Sequence, residues 1–323
     1  MALEMMMTGA SVIRTFFRPP SPQPPLRGGG GGLLATLDTT GRGCGYSTVK
    51  IISCCLILFH GGILCALPAH AEGIDVGKPS ALRNLVPAGE LEQQATLEYE
   101  QLKQQAAAKG ALAPERHPQV VRLRAIAGRL IPFAGRFNPR VGEWRWEVNL
   151  IGSKQVNAFC MPGGKIAVFT GLSDGLKLSD DELAVVLGHE IAHALREHAR
   201  ERMAKSGLTQ LGASLLGELI GGGRYAGAFR FGGDLLNLKF SRSDENEADL
   251  VGLDLAARAG FDPRAGISLW QKMMAANKGA PPEFLSTHPA GDNRVRDIER
   301  HLPEVVPLYA AAKAARAAEA KRR

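Results

Sequence analysis

The sequence predicts an α+β fold, mostly helical: a core helix carrying two histidines one turn apart, a second helix carrying a glutamate, and a small antiparallel sheet. Three stretches predict it. From about Asp180 to about Met203 the chain is apolar on nearly every side, through Leu183, Val185, Val186, Leu187, Ile191 and Leu195. A helix of that kind belongs in a core. Trp144–Leu150 alternates with a period of two, and the runs 157–160 and 165–170 flank the turn Met161-Pro-Gly-Gly164. From Phe240 a helical pattern continues through Leu255 and Ala256 and stops at Gly260.

Composition sets the frame. Of 323 residues, 45% are hydrophobic and 22% charged, which fits a globular protein with a core. The formal charge of +7 sits at the ends. Residues 1–71 hold five Lys/Arg against two Asp/Glu, and residues 313–323 hold five against one, which leaves 72–312 neutral. A nucleic-acid stripe on the folded body is therefore excluded. Four of the five cysteines precede residue 66, and Cys160 alone supports no intrachain disulfide.

Residues 1–71 read as a disordered extension plus a signal peptide. Residues 1–46 are rich in Gly, Pro, Arg and Ser and cannot build a core. Lys50, the apolar run Ile51–Leu67 and Ala69-His-Ala71 have the layout of a secretory leader cleaved after Ala71. The expected location is exported, periplasmic or membrane-associated; an uncleaved anchor and a mitochondrial transit peptide are the alternatives.

Residues 72–116 are a helical lead-in, with Glu90–Lys109 as a surface helix across the body. Pro118–Ile131 is amphipathic, with Val120, Leu123, Ile126 and Leu130 on its apolar side. The sheet follows, and two readings of its edge stand: a strand that holds an extended peptide by its backbone, with Asn157, Ala158 and Phe159 as the candidates, or plain sheet. Ser179 and Glu182 have the spacing of a capping box for the core helix. Leu208–Ile220 and the glycines to Gly233 suggest a short helix followed by a loop within 207–233, either a lid over the site or an ordinary surface loop. Asp262-Pro263 opens a helix with Ile267, Leu269, Trp270 and Met273 facing the core, and 303–323 is a basic, Ala-rich tail, exposed and frayed from Tyr309.

The chemistry lies in His189-Glu190-Ile-Ala-His193. Four residues along a helix make one turn plus about 40°, so both imidazoles leave one face and can grip one metal ion. Glu190 is then placed to take a proton from an attacking water. Without a metal, the pair would be core histidines satisfied by neighbouring groups. In Asp244-Glu245-Asn-Glu247-Ala-Asp249, Glu245 and Asp249 share a face while Glu247 points elsewhere. Glu245 is the candidate third ligand, and Asp249 the candidate partner for the far nitrogen of a ligand histidine. His288, on a loop, is placed to meet an oxyanion or the open metal position. His198, about 140° around a continuous helix from His193, is assigned to packing or the surface.

Four stretches together resemble the Ste24/HtpX-like zinc metallopeptidases, most nearly the soluble periplasmic BepA/LoiP type: 157–164, 182–198, 241–249, and Ser286-Thr-His-Pro289 with Arg294. The resemblance implies a zincin-like catalytic domain over 117–302 with one Zn2+ on His189, His193 and Glu245. It implies Glu190 as the catalytic acid/base, Asp249 behind the ligands, and His288 and Arg294 lining the site. It also implies protein or peptide substrates, a role in envelope quality control, and peripheral association with membranes or outer-membrane assembly.

The expected activity is therefore zinc-dependent endopeptidase cleavage of misfolded or misassembled envelope proteins, by a zinc-activated water with Glu190 as general base. Two rivals remain: a gated, chaperone-like binder whose zinc is plugged by His288, and a structural zinc domain, against which the presence of Glu190 argues.

Overall fold

Local signals in the sequence become elements at their expected places in a computed structural model that describes residues 72–221, 235, 238–276, 283–288 and 293–322. The expected leader lies outside these residues, as does 222–233, the glycine-rich part of the expected lid or loop.

Helix α1 (Ala88–Ala108) buries Leu91, Ala95 and Tyr99 and leaves Leu97 exposed. It is more than a surface helix. Tyr99 donates its hydroxyl to the Ile166 carbonyl and accepts a hydrogen bond from Asn149 at 3.1 Å, which ties α1 to the sheet. Helix α2 (Pro118–Leu130) starts on a proline, which suits a first turn where the N–H has no partner, and its apolar side enters the core.

The sheet contains β1 (Glu147–Ile151), β2 (Ala158–Met161) and β3 (Lys165–Phe169) in the order β1-β3-β2. It is mixed rather than antiparallel. β2 and β3 form the expected hairpin, with Ala158 opposite Val168, but β1 pairs with β3 in parallel, Glu147 opposite Lys165. The cause lies in the two connections. Gly163 and Gly164, at φ 81° and 82°, make a tight turn that only a short hairpin tolerates, and a Cβ on Gly164 would lie 2.7 Å from the Trp146 ring. Residues 152–157 instead cross one end of the sheet, from Ile151 beside Phe169 to Ala158 beside Val168, which leaves the place between β1 and β2 to β3. β1 is buried at four of its five positions, not half-buried, because α2 covers one face and Tyr99 of α1 reaches the other.

After the single turn α3 (Thr170–Ser173) comes α4 (Asp180–Leu195), the helix with the two histidines. The capping box forms: Glu182 N–H donates to Ser179 Oγ at 3.2 Å, and Ser179 N–H to Glu182 Oε2 at 2.8 Å. The helix stops at Leu195 instead of running to Met203. Glu197 adopts φ 58°, a left-handed conformation unusual for a side chain with a Cβ, and α5 (His198–Gly221) starts in a new direction. Three arginines and a backbone group hold that turn: Arg83, Arg140 and Arg200 surround the Glu197 carboxylate, and Glu197 N–H donates to Ala194 O.

Helix α6 (Arg242–Arg258) has its own capping box between Ser241 and Asp244. It crosses α4 at a glycine pair. A Cβ on Gly188 would stand 2.8 Å from Gly252 O, and one on Gly252 2.7 Å from His189 N, so the two backbones touch with no side chain between them. Helices α7 (Ala265–Ala276), α8 (Glu283–Thr287) and α9 (Arg294–Ala320) complete the layer around α4 and α6. Leu269, Trp270 and Met273 of α7 are buried, whereas Ile267 is only partly so. α9 begins fifteen residues before the expected tail helix, and its last turns are exposed.

Candidate metal centre

Crossing α4 and α6 at glycine brings His189, His193 and Glu245 together, and the residue after α8 adds His288. One ligand atom from each of these four buried residues lies within 4.8 Å of the others. His189 Nε2 and His193 Nε2 are 3.1 Å apart. Glu245 reaches them with Oε2 at 3.6 Å and Oε1 at 3.4 Å respectively. His288 Nδ1 is 3.3 Å from His189 Nε2 and 3.0 Å from Glu245 Oε1. Ligands about 2.1 Å from one ion in a tetrahedron stand about 3.4 Å from one another, so this spacing fits a single metal ion.

The electrostatics fit as well. Burial holds His193 well below the usual histidine value, which keeps it a neutral donor. Burial would raise Glu245, but hydrogen bonds with His193 and His288 outweigh it and hold the carboxylate ionised. Imidazole nitrogens plus one carboxylate are a donor set for a divalent cation such as zinc.

Asp249, one turn after Glu245 on α6, stands 3.0 Å from His189 Nδ1 with its Oδ1, so the Nε2 lone pair faces the cluster. Arg294, at the start of α9, joins the two carboxylates. It donates to Asp249 at 2.7 and 2.6 Å and to Glu245 at 2.6 Å, and its guanidinium lies 3.6 Å from the centre of the Trp270 ring. Burial would raise Asp249, and the Arg294 charge with the His189 contact reverses the shift.

Glu190 is buried beside the cluster. Its Oε1 has no hydrogen-bond partner among the described residues, and His288 Nε2 is 3.7 Å away. Burial pushes its carboxyl above the usual glutamate range, against the pull of His288 and His189. A small pocket opens here, lined by Asn157–Pro162, Glu190, His193, Phe240, Thr287 and His288. The candidate peptide-binding residues Ala158 and Phe159 lie on β2, which is an edge of the sheet, and Asn157 immediately precedes it.

The structure brings His189, Glu190, His193, Glu245, Asp249, His288 and Arg294 together, and Asn157, Ala158 and Phe159 line the adjoining pocket. Others were not foreseen. His198, assigned to packing or the surface, is 1% exposed and lies with Nδ1 2.9 Å from His193 Nδ1, because the left-handed Glu197 breaks the helix that would have turned it away. Phe240 stacks on His193 at 4.0 Å between ring centres, and Phe284 stacks on His288 at 4.4 Å. The only hint in the sequence was the position of Phe240 and Phe284 beside the motifs.

A histidine pair on one core helix, a carboxylate from a second and a short sheet beside them together define a zincin-like metal-binding fold. Peptidase family M48 matches residues 119–302, more than half of the chain, and the chain belongs to that family. It is 37% identical over 199 residues to the mitochondrial metalloendopeptidase OMA1 of Schizosaccharomyces pombe, covering 60% of this chain and 56% of that one. It is 33% identical over 232 residues to the mitochondrial metalloendopeptidase OMA1 of Bos taurus, covering 66% and 42%. With the beta-barrel assembly-enhancing protease of Escherichia coli it shares 32% identity over 174 residues, covering 49% and 35%. The chain spans less than two thirds of the length of each of these relatives.

Proposed function

We propose that this protein is a zinc-dependent metalloendopeptidase that cleaves misfolded or misassembled envelope proteins. The observation that carries the reading is the buried Glu190 carboxylate oxygen, without a hydrogen-bond partner among the described residues, beside a cluster of four candidate ligands and facing a pocket along a sheet edge. A purely structural metal site has no use for such a group.

His189, His193 and Glu245 would hold the zinc. Bound there, it would supply a Lewis acid that acidifies water and polarises a peptide carbonyl. The protein's own groups do the rest. An extended peptide adds to β2 by backbone hydrogen bonds at Ala158 and Phe159, which fixes the scissile bond beside Glu190. Glu190 takes the proton of the attacking water and hands it to the leaving amine. His288 Nε2, near Glu190, donates to the oxygen on which negative charge develops. Asp249 fixes the tautomer of His189, and Arg294 holds Glu245 and Asp249 ionised and in place.

The position of His288 Nδ1, at ligand distance from His189 and Glu245, favours a gated form of the same enzyme in which this histidine fills the fourth position until substrate displaces it. The envelope as location rests on the leader layout of 51–71 and on the names of relatives that act in mitochondria or enhance beta-barrel assembly. None of the described helices is long and apolar enough to cross a membrane. Peripheral association with a membrane or with outer-membrane assembly is part of the same proposal.

The test is casein degradation by the purified protein beside Glu190→Gln, with zinc measured on both. One zinc per chain in both, and cleavage about 10²- to 10⁴-fold slower in the variant, is the expected result. Zinc in both with activity in neither points to the gated form, and His288→Ala then releases cleavage. Absence of zinc from both overturns the proposal.

A further inference from the structure

The His193 side of the centre carries a chain of groups with no role in the steps above. His193 turns Nε2 toward His189 and Glu245 and Nδ1 toward His198 Nδ1, at 2.9 Å. At that distance one nitrogen donates and the other accepts. A ligating Nε2 needs its lone pair, so neutral His193 carries its proton on Nδ1 and is the donor. His198 Nδ1 is then the acceptor, and His198 carries its own proton on Nε2. That nitrogen faces Glu247 Oε2 at 3.4 Å. The other Glu247 oxygen accepts from Arg196 Nε, and Arg196 Nη2 donates to Gly77 O at 2.9 Å. Each link has the polarity the next requires, and the order ends on a charge pair.

The local fold supports this arrangement. The His193–His198 contact exists only because Glu197 sits at φ 58°, a conformation that several arginines stabilise. His198 is 1% exposed, and buried ring nitrogens of this kind are hydrogen-bonded, here to His193. Phe240 covers the face of the His193 ring and leaves its edge nitrogens as the only polar handles.

We propose that His198 and Glu247 are positioning residues: Glu247 fixes the tautomer of His198, His198 fixes that of His193, and this relay sets the protein's affinity for zinc. The proposal rests on His193 being a zinc ligand. It assigns to the His193 side what Asp249 does on the His189 side, but through a neutral imidazole.

The test is the zinc dissociation constant of the full chain, by competition with a chromogenic chelator, together with the visible spectrum of the cobalt-substituted protein. His198→Leu keeps the volume and loses the acceptor. His198→Asn keeps an acceptor oxygen about where Nδ1 stood. Partners of ligand histidines are worth about 10- to 100-fold in metal affinity, so His198→Leu should weaken zinc by that factor and shift the cobalt bands. His198→Asn should stay within about threefold of native, and Glu247→Leu should fall between. His198→Asn as weak as His198→Leu, or His198→Leu equal to native, overturns the proposal while zinc on the native protein leaves the site reading standing. Absence of zinc from the native protein removes both. Should His198→Leu fail to fold, His198→Asn against Glu247→Leu decides: a tight first and weak second uphold the relay, and an unchanged Glu247→Leu sinks it.

Discussion

The two histidines of α4 face one cluster but are held from behind in opposite ways. Behind His189 stands a carboxylate, Asp249, clamped by two hydrogen bonds from Arg294, which is buried against Trp270. Behind His193 stands a neutral ring, His198, and the charge comes one step later at Glu247, which is 23% exposed. The first flank is a buried ionic network, where removing one member leaves another charge unpaired. The second is a graded chain that ends near solvent, where losses are softer. The same ligand type can thus be oriented by a costly, rigid device on one side and a tolerant one on the other.

The sharpest way to break this contrast is Arg294→Ala. It strands the ionised Asp249 and Glu245 in a buried site, and a destabilisation of about 3–5 kcal/mol is expected by chemical denaturation. The matching change on the other flank, Arg196→Ala, should cost far less, since Glu247 can turn to water. Equal losses would erase the distinction. Next comes Gly252→Ala, which strikes both flanks at once by forcing α4 from α6. A Cβ 2.7 Å from His189 N should cost about 1–3 kcal/mol and weaken zinc binding as well.

Asp249→Asn tests the flanks one at a time, with an expected loss of about 10- to 100-fold in zinc affinity. Combined with His198→Leu, the two factors should multiply if the flanks are independent, and a product far from that measures coupling through the shared ion. The smallest effect lies outside both flanks. Glu182 caps α4 and receives hydrogen bonds from Lys272 and Ser268, so Glu182→Ala should cost about 1 kcal/mol with zinc affinity unchanged. Burial would raise Glu182, but Lys272, the Ser179 N–H and Ser268 lower it. A lowered carboxylate stabilises fully above its unfolded value, about 4.3, and stops doing so as pH falls through the folded one. The gap between native and variant melting temperatures should therefore close on acidification below about pH 4.

Local chemistry was legible in the sequence. Ser179 and Glu182 announced where α4 begins, Pro118 announced α2, and the four-residue spacings in α4 and α6 put the right side chains on common faces. What failed to show was set by contacts distant in sequence. Nothing in 144–170 distinguishes β1 beside β3 from β1 beside β2, because a parallel pairing depends on how 152–157 return. The end of α4 was hidden for another reason. Arg196-Glu197 contains no glycine or proline, and the left-handed turn exists because arginines from α5 and from residues 83 and 140 converge on one carboxylate. His198 was misplaced as a direct result. The glycine pair at the α4–α6 crossing is visible as two letters, but that they meet is a tertiary fact 64 residues apart in the chain.

The segment 72–77 has a mechanical consequence. Arg258 and Arg136 grip the Glu72 carbonyl, Asp254 takes the Ile74 N–H, and Arg196 holds the Gly77 carbonyl. Any pull transmitted through residues before Glu72 is therefore taken up first by α6, by Arg136 in the turns after α2, and by the end of α4. If the preceding chain tethers this body to a membrane, the body hangs in part from the helices that carry the candidate ligands, and Arg196 is the point where tension on the tether meets the histidine chain.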